Sequence, residues 1–267
     1  RGRSLARCAA RFQRWSRHAA GRPRVPGVGR ATAPAAGSRV PGAARTALGA
    51  VAPPGGYIIL GVPASLPPID GKRRSTNSLI AINDGGGAAV RYDKSHLVPF
   101  GEYVPFADYL PLDKLVAGRG SFVPGPGIRT IKLQGLPAFS PLICYEVIFP
   151  GAVTAKDRPA FLLNITNDAW YGRSAGPHQH LAIARMRAIE EGLPLIRVAN
   201  TGISAAFDAF GVEIAHIPLD QAASIDIRLP PPNPPTLYAQ YGDLLYGIML
   251  ALTLTLALLF RRRKLSP

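Results

Sequence analysis

Short apolar runs alternate with turn-rich stretches between residues 57 and 230, and this pattern predicts an α/β domain. Glycine-rich and proline-rich segments such as Asp84–Gly87 and Pro124–Gly127 separate the runs. The stretch His178–Glu191 predicts a helix, and Gly192 and Pro194 directly after it mark its end. The predicted strands are Tyr57–Val62, Ser78–Asn83, Ala138–Cys144, Phe161–Thr166, Leu195–Ala199, Ile203–Phe207 and Ile225–Leu229.

The last apolar run, residues 244–260, contains no charged side chain and would span ~26 Å as a helix at ~1.5 Å per residue. Four consecutive cations, Arg261–Lys264, follow it. A buried core helix is the alternative, but such a helix rarely ends in a run of cations. We therefore expect a transmembrane helix at 244–260, preceded by a proline-rich linker at 231–243 and followed by a basic tail at 261–267.

The cations after this helix also predict its orientation. Positive charge is retained on the cytoplasmic side of a membrane, so the tail is expected in the cytoplasm and the preceding domain on the opposite face. In a bacterium this places the helix in the inner membrane and the domain in the periplasm.

The net charge of +15 comes from the two ends of the chain. Residues 1–50 contain eleven arginines and no acidic residue, and the segment after the apolar helix adds four more cations. Between residues 51 and 260 the remaining 16 basic residues are matched by 16 acidic ones. The globular part is therefore neutral and lacks the basic footprint of a nucleic-acid-binding domain.

Residues 1–52 are rich in Arg, Ala, Gly and Pro and show almost no apolar periodicity. A transit peptide, a disordered basic arm and a frame-shifted translation are three interpretations of this composition. The chain has only two cysteines, Cys8 and Cys144, which excludes a disulfide framework.

Three polar stretches carry the candidate chemistry: Tyr92–Glu102 (YDKSHLVPFGE), Ile143–Glu146 (ICYE) and Asn167–Gly172 (NDAWYG). Cys144 ends an apolar, strand-like run, and side chains at the carboxyl end of a strand lie at the ligand-binding edge of an α/β sheet. A nearby lysine such as Lys94 favours a thiolate and stabilises the oxyanion of a tetrahedral intermediate. A buried, inert cysteine is the alternative, since free cysteines are often core residues.

Together these stretches resemble the nitrilase superfamily, whose catalytic set is Glu, Lys and Cys, and more narrowly the bacterial apolipoprotein N-acyltransferases. YDKSHLVPFGEYVP, ICYE, and TNDAWYG followed by GPHQHLAIARMRA occur in the order of that family, and a membrane helix follows the domain. The resemblance covers roughly residues 53–264. It implies a four-layer αββα sandwich over 53–230 that is incomplete at the N-terminus.

The resemblance also implies a reaction. Cys144 would take an acyl chain from a phospholipid as a thioester and pass it to the N-terminal diacylglyceryl-cysteine of an apolipoprotein, with no cofactor. A nitrilase-type amidase acting on small amides is the enzymatic alternative. A catalytically dead, membrane-tethered module is the non-enzymatic one.

By motif position, Lys94 and the backbone N–H of Tyr145 would stabilise the oxyanion, and the Tyr145 side chain would lie near the thiol. Glu102 and Glu146 would support Lys94 and the active-site geometry. Trp170 would line an acyl pocket or pack in the core. His178 and His180 do not indicate a metal site, because residues two apart do not share a helix face.

The catalytic glutamate that the resemblance implies is missing, since no Glu precedes Glu102. Codons permitted for residues 26–31, read one base further on, can encode Pro-Glu-Ser-Ala-Val. This would place a glutamate close to position 27, where the family has it. We therefore interpret residues 1 to about 50 as a frame-shifted half-domain, with a genuine, inactive relative as the alternative.

Overall fold

The computed structural model describes residues 41–69, 72–106 and 122–264. The helices are α1 (Gly42–Gly49), α2 (Gly176–Glu191), α3 (Leu237–Tyr241) and α4 (Leu244–Lys264), and two short 3-10 helices cover Cys144–Ile148 and Asp168–Tyr171. The strands are β1 (Tyr57–Ile69), β2 (Lys72–Asn83), β3 (Ala88–Asp93), β4 (Ile131–Leu133), β5 (Leu136–Ile143), β6 (Phe161–Asn167), β7 (Leu195–Asn200), β8 (Ser204–Phe207) and β9 (Glu213–Ile217).

Within the described ranges these strands form two sheets. The first has the order β1-β2-β3 and is antiparallel throughout. The second has the order β4-β5-β6-β7-β8-β9, and its central strands β5, β6 and β7 are parallel. The expected αββα sandwich is confirmed, because α1 packs on the first sheet, α2 packs on the second, and the two sheets face each other.

The main core lies between the sheets, and side-chain alternation along β6 shows how it forms. Phe161, Leu163 and Ile165 face the first sheet and meet Leu79 of β2. Leu162 points to the other face and packs in a second cluster beneath α2. Parallel strands buried on both faces are expected to be apolar almost without interruption, and β6 fits that expectation.

The outer helices fit closely onto the sheets. A Cβ atom added at Gly49, the last residue of α1, would lie 2.4 Å from the backbone nitrogen of Gly86 in the β2–β3 turn. On the other side, Ala184 and Ala188 give α2 a small-residue face that packs on the second sheet. Gly192 ends α2 in the left-handed conformation at φ +62°, as the sequence predicts.

The segment after the domain is held against it. Asn233 N–H donates to Gly192 O at 2.9 Å, and the Arg158 guanidinium donates to Asn233 O at 3.2 Å. The Thr236 hydroxyl also donates to Glu190 O at the end of α2. The proline-rich segment is therefore docked on the end of α2 before the chain enters α3.

The predicted C-terminal apolar helix is confirmed as α4, which begins at Leu244. Its apolar window, Leu244–Arg261, has a mean hydropathy of 2.0 and is wholly exposed. The helix is long and apolar enough to cross a membrane.

Some strand predictions differ from the structure. Ile225–Leu229 forms no strand, although Ile227 and Leu229 pack against the main core. The short strands β3, β4 and β9 were not predicted. Positions 1–40 of the arginine-rich segment lie outside the described residues, and α1 begins just after them.

Candidate active site

Cys144 lies where strand β5 passes into a 3-10 helix, at the carboxyl end of a central strand of the second sheet. Its φ of 51° is in the left-handed region. A non-glycine residue there costs on the order of 1–3 kcal/mol, so surrounding contacts must hold the turn. The side chain is partly exposed, which leaves the thiol accessible at the sheet edge.

Lys94 follows β3 and is almost fully buried. Its Nζ lies 2.7 Å from Glu102 Oε2, and the same oxygen accepts from the Val98 N–H at 2.8 Å. Asn77 Nδ2 donates to the other carboxylate oxygen at 3.0 Å. The buried cation is therefore compensated by a carboxylate that is itself fixed in place.

Glu146 is buried in the 3-10 helix after the thiol and links two segments of the site. Its Oε2 accepts from Ile143 N–H at 2.8 Å, just before Cys144. Its Oε1 accepts from the N–H groups of Ser95 and His96, at 2.7 and 3.2 Å, just after Lys94.

Two hydroxyl groups also donate hydrogen bonds to Glu146 Oε1: Tyr92 Oη at 2.7 Å and Ser95 Oγ at 2.9 Å. Burial and the Glu146 charge raise the pKa of Tyr92 well above its ordinary value. The sequence analysis expected Glu102 and Glu146 together to support Lys94 and the active-site geometry. In the structure Glu102 pairs with the lysine, whereas Glu146 fixes the backbone on both sides of the site.

A cluster of aromatic rings lies along the 3-10 helix that begins at Cys144. His96 stacks on Phe149 with a centroid distance of 3.9 Å, and Tyr145 meets Phe149 edge to face at 5.0 Å. Trp170 is 66% exposed, so its alternative interpretation as a core residue is wrong. Tyr171 meets His180 edge to face with a centroid distance of 5.9 Å, and burial, followed by the Cys144 charge, raises the pKa of this tyrosine.

A buried polar network that sequence reasoning missed lies beneath Cys144. Asp168 Oδ1 is 3.0 Å from His180 Nδ1, and Asp168 Oδ2 accepts from Arg197 at 2.6 Å. His180 Nε2 lies 3.3 Å from the carbonyl oxygen of Cys144 itself. The sequence signal was an arginine inside the apolar run of β7, where an unpaired charge would be costly.

Opposing effects set the protonation of this network. Burial alone would raise the pKa of Asp168, but the His180 hydrogen bond and the Arg197 charge hold it below its ordinary value. Burial lowers the pKa of Arg197, against the opposing effects of Asp168 and Cys144.

The described residues contain neither a metal centre nor the position of the implied glutamate. No group of three or more His, Cys, Asp or Glu side chains is arranged there to hold a metal ion. The position near 27, where the resemblance would place a catalytic glutamate, lies outside the described ranges.

The family of the chain follows from comparison with known proteins. The carbon-nitrogen hydrolase model matches residues 27–229, about three quarters of the chain. This chain belongs to the carbon-nitrogen hydrolase family. The match to the family includes Lys94, Glu102 and Cys144 and begins within the arginine-rich segment.

Within this family, the chain is similar to curated apolipoprotein N-acyltransferases. It is 45% identical over 198 residues to the protein of Bradyrhizobium diazoefficiens, covering 73% of this chain and 37% of that protein. Identity to the Rhodopseudomonas palustris protein is 43% over 216 residues, covering 79% and 40%. The chain thus spans two fifths or less of the length of these relatives.

Solved structures of other carbon-nitrogen hydrolases also match. An amidase from Nesterenkonia sp. is 19% identical with a TM-score of 0.48, covering 70% of this chain and 66% of that one. A carbon-nitrogen hydrolase from Helicobacter pylori G27 is 19% identical with a TM-score of 0.46, covering 63% and 60%.

Proposed function

We propose that this chain is the catalytic part of a membrane-bound N-acyltransferase that matures lipoproteins. It moves a fatty acyl chain from a phospholipid to the N-terminal diacylglyceryl-cysteine of an apolipoprotein. One observation carries the proposal: Cys144 sits on a left-handed turn that Glu146 ties to the Lys94 loop. The carbon-nitrogen hydrolase family includes more than one reaction, and similarity to curated apolipoprotein N-acyltransferases supports acyl transfer for this chain.

In the first half-reaction the Cys144 sulfur attacks the ester carbonyl of the phospholipid. A C–S bond forms, the C–O ester bond breaks, and the lysophospholipid leaves as an alcohol after gaining a proton. Lys94 and the backbone N–H of Tyr145 stabilise the oxyanion. Glu102 keeps the buried lysine in position.

In the second half-reaction the amino group of the acceptor attacks the thioester carbon. A C–N bond forms, the C–S bond breaks, and the nitrogen loses a proton while the sulfur is restored. A general base is needed in both halves. The family resemblance assigns that role to a glutamate ahead of Lys94, which this sequence does not encode.

The frame-shift hypothesis accounts for the missing base. Sequencing the gene across codons 1–60 from independent DNA tests it directly. A restored Pro-Glu-Ser-Ala segment would supply the base, whereas a confirmed frame would favour an inactive relative.

The membrane setting follows from the C-terminal helix. We place α4 across the bacterial inner membrane, with the catalytic domain in the periplasm and the cations after Phe260 in the cytoplasm. Since the segment ahead of α4 is docked on α2, the domain would stand close to the membrane that holds its acyl donor. The exposed Trp170 would contact the acyl chain at the mouth of the site.

A labelled acyl donor tests the proposal. The full-length protein, expressed from the gene with its Pro-Glu-Ser-Ala segment restored, is incubated in detergent micelles with a phospholipid carrying an alkyne-tagged acyl chain. The Cys144 peptide is then examined by mass spectrometry. We expect a hydroxylamine-sensitive acyl adduct that is absent in Cys144→Ala and is discharged by a diacylglyceryl-cysteine peptide. An unmodified Cys144 together with hydrolysis of small amides would instead support an amidase, and neither activity would support a non-catalytic module.

A further inference from the structure

The carbonyl oxygen of Cys144 lies within hydrogen-bond distance of a buried histidine. His180 Nε2 lies 3.3 Å from that oxygen, and the His180 side chain is only 3% exposed. Since a carbonyl oxygen can only accept, Nε2 must carry the proton. We propose that His180 is a positioning residue that holds the nucleophile's turn in its left-handed conformation.

The contacts on the other side of the ring support this role. Nδ1 lies 3.0 Å from Asp168 Oδ1 and 3.1 Å from an Arg197 nitrogen. The first contact requires a proton on Nδ1 and the second excludes one, but the Nε2 proton is common to both states. Asp168 and Arg197 therefore fix the ring in either case.

A second link joins the same network to β5. Arg197 donates to Asn164 Oδ1, and Asn164 Nδ2 donates to Leu142 O at 3.0 Å. The network thus holds the backbone at Leu142 and again at Cys144. These two carbonyl contacts bracket the point where the strand ends and the φ of Cys144 becomes positive.

The network is shaped tightly around Asp168. A Cβ atom at Gly202 would lie 2.4 Å from Asp168 Oδ2, so glycine is required for the carboxylate to reach Arg197. Thr166 Oγ1 donates to the other carboxylate oxygen at 3.0 Å. A carboxylate held at both oxygens keeps the imidazole from turning away from Cys144.

This inference rests on Cys144 being the nucleophile of the proposed function, but its test does not need the acyl-transfer reaction. The rate at which iodoacetamide alkylates Cys144 is measured in the full chain in detergent micelles, by mass spectrometry of the Cys144 peptide. This rate reports the exposure and reactivity of the thiol whether or not a phospholipid is a substrate.

Two amide variants test the contacts of the two ring nitrogens separately. His180→Gln places an amide N–H near the Nε2 position, whereas His180→Asn retains only the contact near Nδ1. We expect His180→Asn to slow alkylation about fivefold to tenfold, the factor for one lost hydrogen bond, and His180→Gln to stay within about twofold of wild type. His178→Asn is the matched control, since His178 is exposed on the same helix and should leave the rate unchanged.

Thermal midpoints are recorded for all variants. Equal alkylation rates in His180→Asn and His180→Gln would overturn the proposal, whether both rates are slow or both match wild type. If His180→Asn does not fold, the decision passes to Asp168→Glu and His180→Gln at matched stability. A slow rate in the first and a normal rate in the second supports the positioning role, and the reverse contradicts it.

Discussion

Lys94 Nζ and Glu102 Oε2 lie 2.7 Å apart, with the lysine side chain 1% and the glutamate side chain 14% exposed. A buried ion pair of this kind contributes little net stability, but removing one partner leaves an uncompensated charge. The pair therefore matters chiefly because it fixes where the lysine charge stands relative to the thiol turn.

Replacing Glu102 by Gln should expose that dependence. The amide cannot neutralise Lys94, so we expect the free energy of unfolding to fall by roughly 3 kcal/mol and thioester formation at Cys144 to be lost almost completely. Chemical denaturation and the labelled-phospholipid assay measure the two effects.

The exposed pair Lys132–Asp157 provides the matched control, with side chains 69% and 61% exposed. Asp157→Asn should change stability by less than about 1 kcal/mol, because water already screens the pair. Similar losses in Glu102→Gln and Asp157→Asn would contradict a special role for the buried pair.

Glu146→Gln should change both the thiol turn and the titration of Tyr92. The amide end of Gln presents a donor to one of the N–H groups that Glu146 now accepts from, so the turn before Cys144 or the loop after Lys94 loses a contact. With the nearby charge gone, the raised pKa of Tyr92 should fall toward its ordinary value of 10.0.

Ultraviolet titration of tyrosinate, with Tyr92→Phe as the subtraction standard, measures this shift. Burial remains in the variant, so the pKa of Tyr92 should stay above 10.0 while falling below its wild-type value. An unchanged Tyr92 titration would mean that the glutamate charge does not act on the phenol.

The sequence predicted features that local residues decide. Gly192 follows the last residue of α2 because a left-handed residue is needed there, and β5 ends at Ile143, directly before Cys144 and the polar pair that follows the apolar run. In contrast, Glu146 also accepts from Ser95 and His96, about fifty residues upstream, and His180 meets Cys144 only after α2 packs on the second sheet. Such contacts depend on tertiary packing and leave no periodic trace in the sequence.

Strand predictions failed for a related reason. β4 has only three residues and owes its existence to pairing with β5. Ile225–Leu229 alternates apolar and polar residues, but it has no ladder partner among the described strands, so its pattern marks burial alone.

Asp168 should give the protein an acid-sensitive contribution to stability. Its pKa is lowered in the folded protein, so the contribution is fully present above the ordinary value of 3.8 and is lost as the pH falls through the lowered folded value. We expect the gap in thermal midpoint between wild type and Asp168→Asn to be widest at neutral pH. Circular dichroism melts from pH 7 to pH 3 should show the gap narrowing only at the acid end. A gap independent of pH would contradict a lowered pKa of Asp168 in the folded protein.

Gly202→Ala tests how closely the network is fitted. The added methyl group would stand 2.4 Å from Asp168 Oδ2, and either the carboxylate or the backbone must move. We expect a loss of about 1–3 kcal/mol from overpacking and slower alkylation of Cys144, since displacing Asp168 frees the His180 ring. Gly42→Ala is the control, because no atom lies within 4 Å of a Cβ at that position. If Cys144 is alkylated at the wild-type rate in both variants while only Gly202→Ala is destabilised, the glycine serves packing alone. That result would contradict the proposed effect of Asp168 on the nucleophile.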